Sequence, residues 1–372
     1  MAIDTSLLDF NITPELQEMA DLLHEICQKE VVPRRAEMDE HEKYPFEVFA
    51  KFKEAGLPAI MYPEEYGGAG LGLFASIMFA EIVSEYCLGV NTAISATKLG
   101  ALPIEHGGTE EQKKKYLSAF ASGEKIGAFG LTEPNAGSDV PNLSTTAVKK
   151  GDRYVLNGTK QWISNSGVAD VYTIFALTDK SKGPRGMSCF IVEKDTKGLS
   201  YGKLEQKMGI RCSHTRQVIL EDCEVPEENL VGLKPNAGFI HAIKTLISSR
   251  PFIATMGTGI ATGAYKEALK YAILASHIFY KQPVEKRPLP LWFFNVHLHQ
   301  GLGYKKLRIF PEAEKQLRKA INFASSAPAG QVDWNWHRLC LIELIDTLEN
   351  EKKTSEVKVV KGELKALEDS HR

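Results

Sequence analysis

Apolar residues along this chain change their spacing twice. From Thr13 to about Gly123 they recur three or four positions apart, as one face of a helix requires. Between Lys125 and about Val231, short alternating or continuous apolar runs bounded by turn residues take over. From Asn236 the helical spacing returns. This order excludes the βαβ alternation of a doubly wound sheet, and no GxGxxG opens a helix. The fold class is α+β: an N-terminal helical domain (1–124), a central antiparallel β domain (125–232) and a C-terminal helical region. That last region divides into the start of a helical domain (233–275) and a divergent helical tail (276–372).

Local signals fill in the blocks. Thr13, Pro14 and Glu15 form a helix start, and Leu16, Met19, Leu23 and Ile26 follow at helical spacing. Tyr44, Pro45 and Phe46 open a second helix, Leu73 to Tyr86 form a third, and Thr109 with Gln112 makes a capping box. Tyr154–Leu156 and Thr159–Ile163 flank Asn157 and Gly158, which predicts a hairpin across an NG turn. Val171–Leu177, Met187–Glu193 and Arg216–Val225 are further strands. The helical stretch from Asn236 to Ala275 is expected to be interrupted at Pro251.

Charge narrows the function classes. Lys plus Arg total 45 against 47 Asp plus Glu, a net charge of -2, so no broad positive field favours nucleic acid or an anionic membrane. The 6 cysteines show no CxxC spacing and are expected to be reduced thiols. No apolar run reaches the roughly 20 residues of a membrane span. The N-terminal residues, acidic rather than basic, resemble neither a secretory signal nor a transit peptide, so a cytoplasmic location is expected, or a mitochondrial matrix if a presequence has been removed.

Six strings carry a resemblance: PEEYGGAG (63–70), GTEEQKKKYL (108–117), FGLTEPNAGSD (129–139), LNGTKQWISN (156–165), KMGIRCSHTRQVILEDCEVPEENLVG (207–232) and SRPFIATMGTGIA (249–261). In this order they resemble the acyl-CoA dehydrogenase family of flavoenzymes over residues 1 to about 275. The resemblance implies an oxidoreductase of fatty acid metabolism, with FAD held between the β domain and a C-terminal bundle. It places Phe129, Leu131 and Thr132 at the flavin's pyrimidine edge, Trp162 beside the ring and the Ser164 hydroxyl at N5. Ser138 would meet the pyrophosphate or the substrate's thioester end, and Arg250 the CoA. The implied reaction is α,β-dehydrogenation of an acyl-CoA to a trans-2-enoyl-CoA, with electrons passed to an electron-transfer flavoprotein. A homo-oligomer is implied as well.

Beyond Arg250 the family pattern fails. Ile247 stands where relatives often carry an acidic residue, and after Tyr271 neither the Arg nor the Phe-Gly-Lys stretch is in register. The catalytic base is not identified: Ser249 occupies the place where a minority of relatives carry it, and Asp333 is the sole carboxylate between Lys315 and Ile342. Gly301, Tyr304, Ala313, Leu317 and Ala320 match the small-large spacing of a tetratricopeptide repeat, and 333–350 supplies a further amphipathic helix. The last residues are expected to be a partly ordered helix or a frayed end. An alternative function follows, a catalytically impaired flavoprotein-like scaffold whose helical tail binds a protein partner. His297 and His299, two apart in a helical stretch, are not expected to form a metal site.

Overall fold

Thr13 Oγ1 accepts a hydrogen bond from Leu16 N at 3.3 Å and Pro14 takes the first helical position, so the chain enters α1 (Pro14–Ile26) where the cap signal predicts. The computed structural model describes residues 12–280, 290–306, 308–326, 332 and 334–371. The chain divides into two units, residues 1–260 and 261–372.

In the first unit, α1 is followed by α2 (Arg35–Glu40), α3 (Phe46–Glu54), α4 (Gly72–Tyr86), α5 (Leu88–Gly107) and α6 (Glu110–Ala121). The apolar spacing of α1 has a direct result: Leu16, Met19, Ala20 and Leu23 are all buried. The Thr109–Gln112 capping box is present at α6. The Gln112 amide also donates to Leu230 O at 2.9 Å and accepts from Gly232 N at 2.9 Å, so the cap fastens the helical block to the far end of the strand block.

The strands are β1 (Gly127–Gly130), β2 (Thr146–Lys150), β3 (Arg153–Ser164), β4 (Val171–Leu177), β5 (Met187–Glu193), β6 (Leu199–Tyr201) and β7 (Thr215–Pro226). They form one sheet in the order β1-β4-β2-β3-β7-β6, with β5 paired to β4. β2–β3, β3–β7, β4–β5 and β6–β7 run antiparallel, but β1–β4 and the short β2–β4 contact are parallel. The sheet is therefore mixed where an antiparallel one is expected, because alternation marks a strand without giving its direction.

The NG turn is absent. Asn157 and Gly158 lie inside the continuous strand β3, where pairing with β7 slips between Leu156 and Gly158. Gly158 has φ +152°, and a Cβ there would fall 2.8 Å from Thr145 Cα, so glycine is needed for close approach in a bulge. The opposing residues complete it: Asn157 Oδ1 accepts from Asp222 N at 2.8 Å. Pro251 does not interrupt its helix either, since α7 runs Gly238–Tyr280 straight through it. The proline costs about 3 kcal/mol of helix stability, and burial of Ala242, Thr245, Phe252 and Met256 offsets it.

The second unit contains two helical hairpins. α8 (Pro290–Lys306) pairs with α9 (Phe310–Ser326), and α10 (Trp334–Asn350) with α11 (Thr354–Asp369). Each hairpin turns on a residue in the left-handed region, Arg308 at φ +59° and Lys352 at φ +59°. The last residues are thus a packed helix rather than a frayed end, with Val357 and Val360 buried. Ala313, Leu317 and Ala320 are fully buried, as a small-large repeat spacing requires. His297 is buried and bonded to Gln316 at 2.8 Å, whereas His299 is exposed. Asp333 lies outside the described residues.

A Cβ on Gly301 would stand 2.7 Å from Leu317 Cγ, so α8 and α9 approach on a glycine. Gly301→Val should therefore destabilise this unit by about 1–3 kcal/mol. Urea unfolding followed by circular dichroism measures it, and an unchanged midpoint would contradict the packing.

Candidate functional site

The loop after β1 is fastened to the middle of β3 by charge. Lys160 Nζ donates to Glu133 Oε1 at 2.7 Å and to Leu131 O at 3.2 Å, with both charged side chains shut away from water. Glu133 also accepts from Ser144 N and Ser144 Oγ, each at 2.7 Å, and from Thr145 N at 3.0 Å. Burial by itself would raise the Glu133 carboxyl; the Lys160 charge and these donors outweigh it and hold that carboxyl at about 2. On Lys160 the same burial is only partly offset by Glu133, and its ammonium comes down to about 8. Both groups are charged at neutral pH.

Beside this pair the strand leaves its ladder. Gln161 N donates to Thr132 O at 2.8 Å, and the β3–β7 register slips between Lys160 and Ile163. The Gln161 side chain turns inward to accept from Gln217 Nε2 at 2.7 Å. Trp162 turns outward, 60% exposed, at φ +60°. A bulky residue held in the left-handed region costs of the order of 1–3 kcal/mol and is a mark of functional sites.

Ser164 ends the strand, and the next residue fixes it. Asn165, also left-handed at φ +63°, is fully buried. Its Nδ2 donates to Ala93 O at 2.9 Å on α5 and to Gly127 O at 3.1 Å on β1, while its Oδ1 accepts from Tyr44 Oη at 3.0 Å. Burial pushes the Tyr44 hydroxyl well up, so it remains a donor. Against Ser164 lies a cavity of about 160 Å³, walled by Thr92, Ala96 and Leu99 of α5 and by Ser249, Phe252 and Met256 of α7.

The sequence-predicted residues fall into two groups. Leu131, Thr132, Trp162 and Ser164 are brought together by the ion pair, the Thr132–Gln161 bond and the bulge. Phe129 sits in β1, its ring 5.3 Å from that of Phe175, two residues after the Gly127 carbonyl that Asn165 holds. Ser138 is exposed on the following loop, and Arg250 is exposed on α7 next to Ser249. Ile247 is likewise exposed.

Residues 13–124 match the model of the acyl-CoA dehydrogenase N-terminal domain, and residues 128–223 that of the acyl-CoA dehydrogenase middle domain. The chain is similar to the short-chain specific acyl-CoA dehydrogenase of Clostridium acetobutylicum, 48% identical over 265 residues that cover 71% of this chain and 70% of that one. The chain belongs to the acyl-CoA dehydrogenase family. Its fold is similar to that of butyryl-CoA dehydrogenase from Megasphaera elsdenii, at a TM-score of 0.70 and 32% identity over 91% of this chain and 89% of that chain. It is also similar to an acyl-CoA dehydrogenase from Bacillus anthracis complexed with FAD, at a TM-score of 0.64 and 32% identity over 91% of this chain and 61% of that chain.

Within this acyl-CoA dehydrogenase, sequence reasoning passes over the residues that position the rest. Glu133 and Lys160 stand inside quoted strings, and Asn165 closes one, yet no role follows for them from spacing alone. A signal exists in hindsight: a lysine in the apolar half of β3 needs a buried partner, because an isolated charge there is prohibitive.

Lys160→Met should cost about 3–5 kcal/mol by leaving Glu133 buried and unpaired, read as a lower melting temperature with weaker order at Trp162 fluorescence. Because the folded Glu133 pKa lies below its ordinary value of 4.5, its contribution to stability is complete above that pH and is lost as pH falls toward about 2. Glu133→Gln should flatten that part of the acid unfolding curve; an identical curve would count against the pair.

Proposed function

We propose that this chain is an FAD-dependent acyl-CoA dehydrogenase that converts an acyl-CoA thioester to the trans-2-enoyl-CoA and passes the electrons to an electron-transfer flavoprotein. One observation carries the reading: an exposed, strained Trp162 stands two residues from Ser164, and Ser164 lines a cavity with a largely apolar wall. These residues fit a flat heteroaromatic ring. The loop 131–132 offers backbone and hydroxyl groups to its polar edge, and the Lys160–Glu133 pair keeps that loop rigid. When bound, FAD supplies a hydride acceptor at N5. Ser164 would hold N5 in line with the cavity, Trp162 would cover the ring, and Arg250 would meet the anionic CoA. Ser138 would bond either pyrophosphate or the thioester end. Metabolism of fatty acids and homo-oligomeric assembly rest on the family alone, and no helix among the described residues is long and apolar enough to cross a membrane.

Removal of the α-proton needs a base. Among the described residues that wall the cavity at Ser164 there is no carboxylate. Saturated thioesters should accordingly turn over slowly. Ser249 shares that wall, and Ser249→Glu places a carboxylate there whose pKa the apolar surroundings raise toward neutrality, which should accelerate turnover by about 10²-fold or more. A variant no faster than the native enzyme in a dye-reduction assay would count against this geometry.

The carboxylate-free wall also favours a second reading, the impaired flavoprotein-like scaffold with a partner-binding tail. Native turnover decides between the two: flavin-loaded protein inert toward every saturated acyl-CoA from butyryl to octanoyl is the scaffold's result. Protein that stays colourless after incubation with excess FAD overturns both.

A further inference from the structure

The connection from β6 to β7 carries a thiol back to the helical block. Arg211 N donates to Asp39 Oδ1 of α2 at 3.0 Å, and the Arg211 guanidinium pairs with Glu42 at 3.3 Å, which fixes the backbone beside Cys212. A Cβ on Gly89 would fall 2.5 Å from Cys212 Sγ, so that sulfur lies directly against the first turn of α5. Cys87 is the N-cap of the same helix, in extended backbone at φ −162°. Its sulfur accepts from the backbone N–H groups of Gly89 and Val90 and shares a hydrogen bond with the Cys212 thiol. Glycine at 89 is what lets two sulfurs occupy one helix terminus.

The two thiols are unlike. Cys87 is partly exposed, whereas Cys212 and the other four cysteines are buried. The hydrogen bond from Cys212 outweighs burial and, with those from Val90 and Gly89, lowers the Cys87 thiol to about 7. Cys212 moves up, because the same bond favours its protonated form and burial adds to that. Burial raises Cys27, Cys189, Cys223 and Cys340 as well. One sulfur in this chain is therefore a partly exposed, partly ionised nucleophile, and its hydrogen-bond partner is a second sulfur that keeps its proton.

We propose that Cys87 and Cys212 form a peroxide-responsive dithiol site, in which Cys87 attacks the oxidant and Cys212 resolves the product to a disulfide. The Cys87 thiolate attacks one oxygen of hydrogen peroxide: an S–O bond forms, the O–O bond breaks, and hydroxide leaves with the proton that Cys87 released, as water. The Cys212 sulfur then displaces the sulfenic oxygen: the S–S bond forms, the S–O bond breaks, and the Cys212 proton leaves with that oxygen as a second water. The two thiols give up two electrons and two protons, and one peroxide takes both. The bridge ties the start of α5, whose Thr92, Ala96 and Leu99 wall the cavity at Ser164, to the connection that leads into β7. The site needs neither flavin nor thioester to react.

The test exposes the full-length protein to hydrogen peroxide at neutral pH, followed by denaturing alkylation with N-ethylmaleimide and peptide mass spectrometry. The expected result is loss of two of the 6 free thiols, an intact mass lighter by two hydrogens before alkylation, and a cross-linked peptide joining Cys87 to Cys212, all reversed by dithiothreitol. Cys87 should react about tenfold or more faster than any other thiol of the chain. A bridge from Cys87 to Cys27, oxidation spread evenly over the cysteines, or a full set of untouched thiols overturns the proposal. In Cys212→Ser the sulfenic acid has no resolving partner and should persist on Cys87, where dimedone captures it, while the native protein should give almost no adduct. Equal adducts in the two proteins remove Cys212 from its role and overturn the proposal too. Should that variant fail to fold, the map of the native protein decides by itself.

Discussion

A lysine and a glutamate sealed from water fix the geometry on which the site rests. Lys160 belongs to the sheet and Glu133 to the loop after β1, and neither tolerates burial without the other. Because Lys160 also holds Leu131 O, and Glu133 also holds the backbone at 144–145, a single ion pair gathers three stretches of chain. Gln161 can then spend its backbone N–H on Thr132 rather than on β7. The bulge that turns Trp162 to solvent follows from that exchange. A neutral pair of similar size would pack as well but would supply fewer directed bonds to the loop.

The helices and the most deeply buried strands were legible because their apolar spacing answers to burial alone. Val171–Leu177 and Met187–Glu193 coincide with β4 and β5, and both are buried on both faces, which is why they read as continuous apolar runs. What the spacing does not carry is pairing. Asn157–Gly158 has the composition of a two-residue turn, and only the partner strand, with Asp222 left-handed opposite it, makes a bulge of it. Pro251 misleads for a related reason, since helix propensity is a local term and α7 is held by tertiary burial. The site was half legible. The motifs name Thr132, Trp162 and Ser164, but the contacts that align them come from residues 93, 127 and 44, far away in sequence.

The tail departs from the family in sequence yet is ordered by the same rules. Phe294, Leu298, Leu341, Leu344 and Leu348 form its core. Salt bridges such as Arg338–Glu368 at 2.7 Å and Lys305–Asp346 at 2.6 Å run between its helices. Exposed pairs of this kind contribute little to stability. They do select which helix faces which, and a tail built from repeated hairpins needs that selection more than it needs additional burial. Sequence likeness to the Clostridium acetobutylicum relative covers 71% of the chain, while structural likeness to the Megasphaera elsdenii enzyme covers 91%.

α5 shows how one element can hold the sheet and wall two cavities. Its attachment to the sheet uses mostly backbone groups: Ala93 O accepts from Asn165 and Gly100 O from Thr173 Oγ1 at 3.1 Å, with Thr97 Oγ1 taking Gly127 N at 3.2 Å. A second face, at Thr92, Ala96 and Leu99, walls the cavity at Ser164. Lys98 and Glu105 lie on a third; Lys98 lines both cavities and Glu105 the larger one. Backbone carbonyls at 93 and 100 do not change when side chains on the other faces do. Substitution at 105 can therefore alter the larger cavity without moving Ser164, whereas loss of the Asn165 amide would release α5 from the sheet beside the cavity at Ser164.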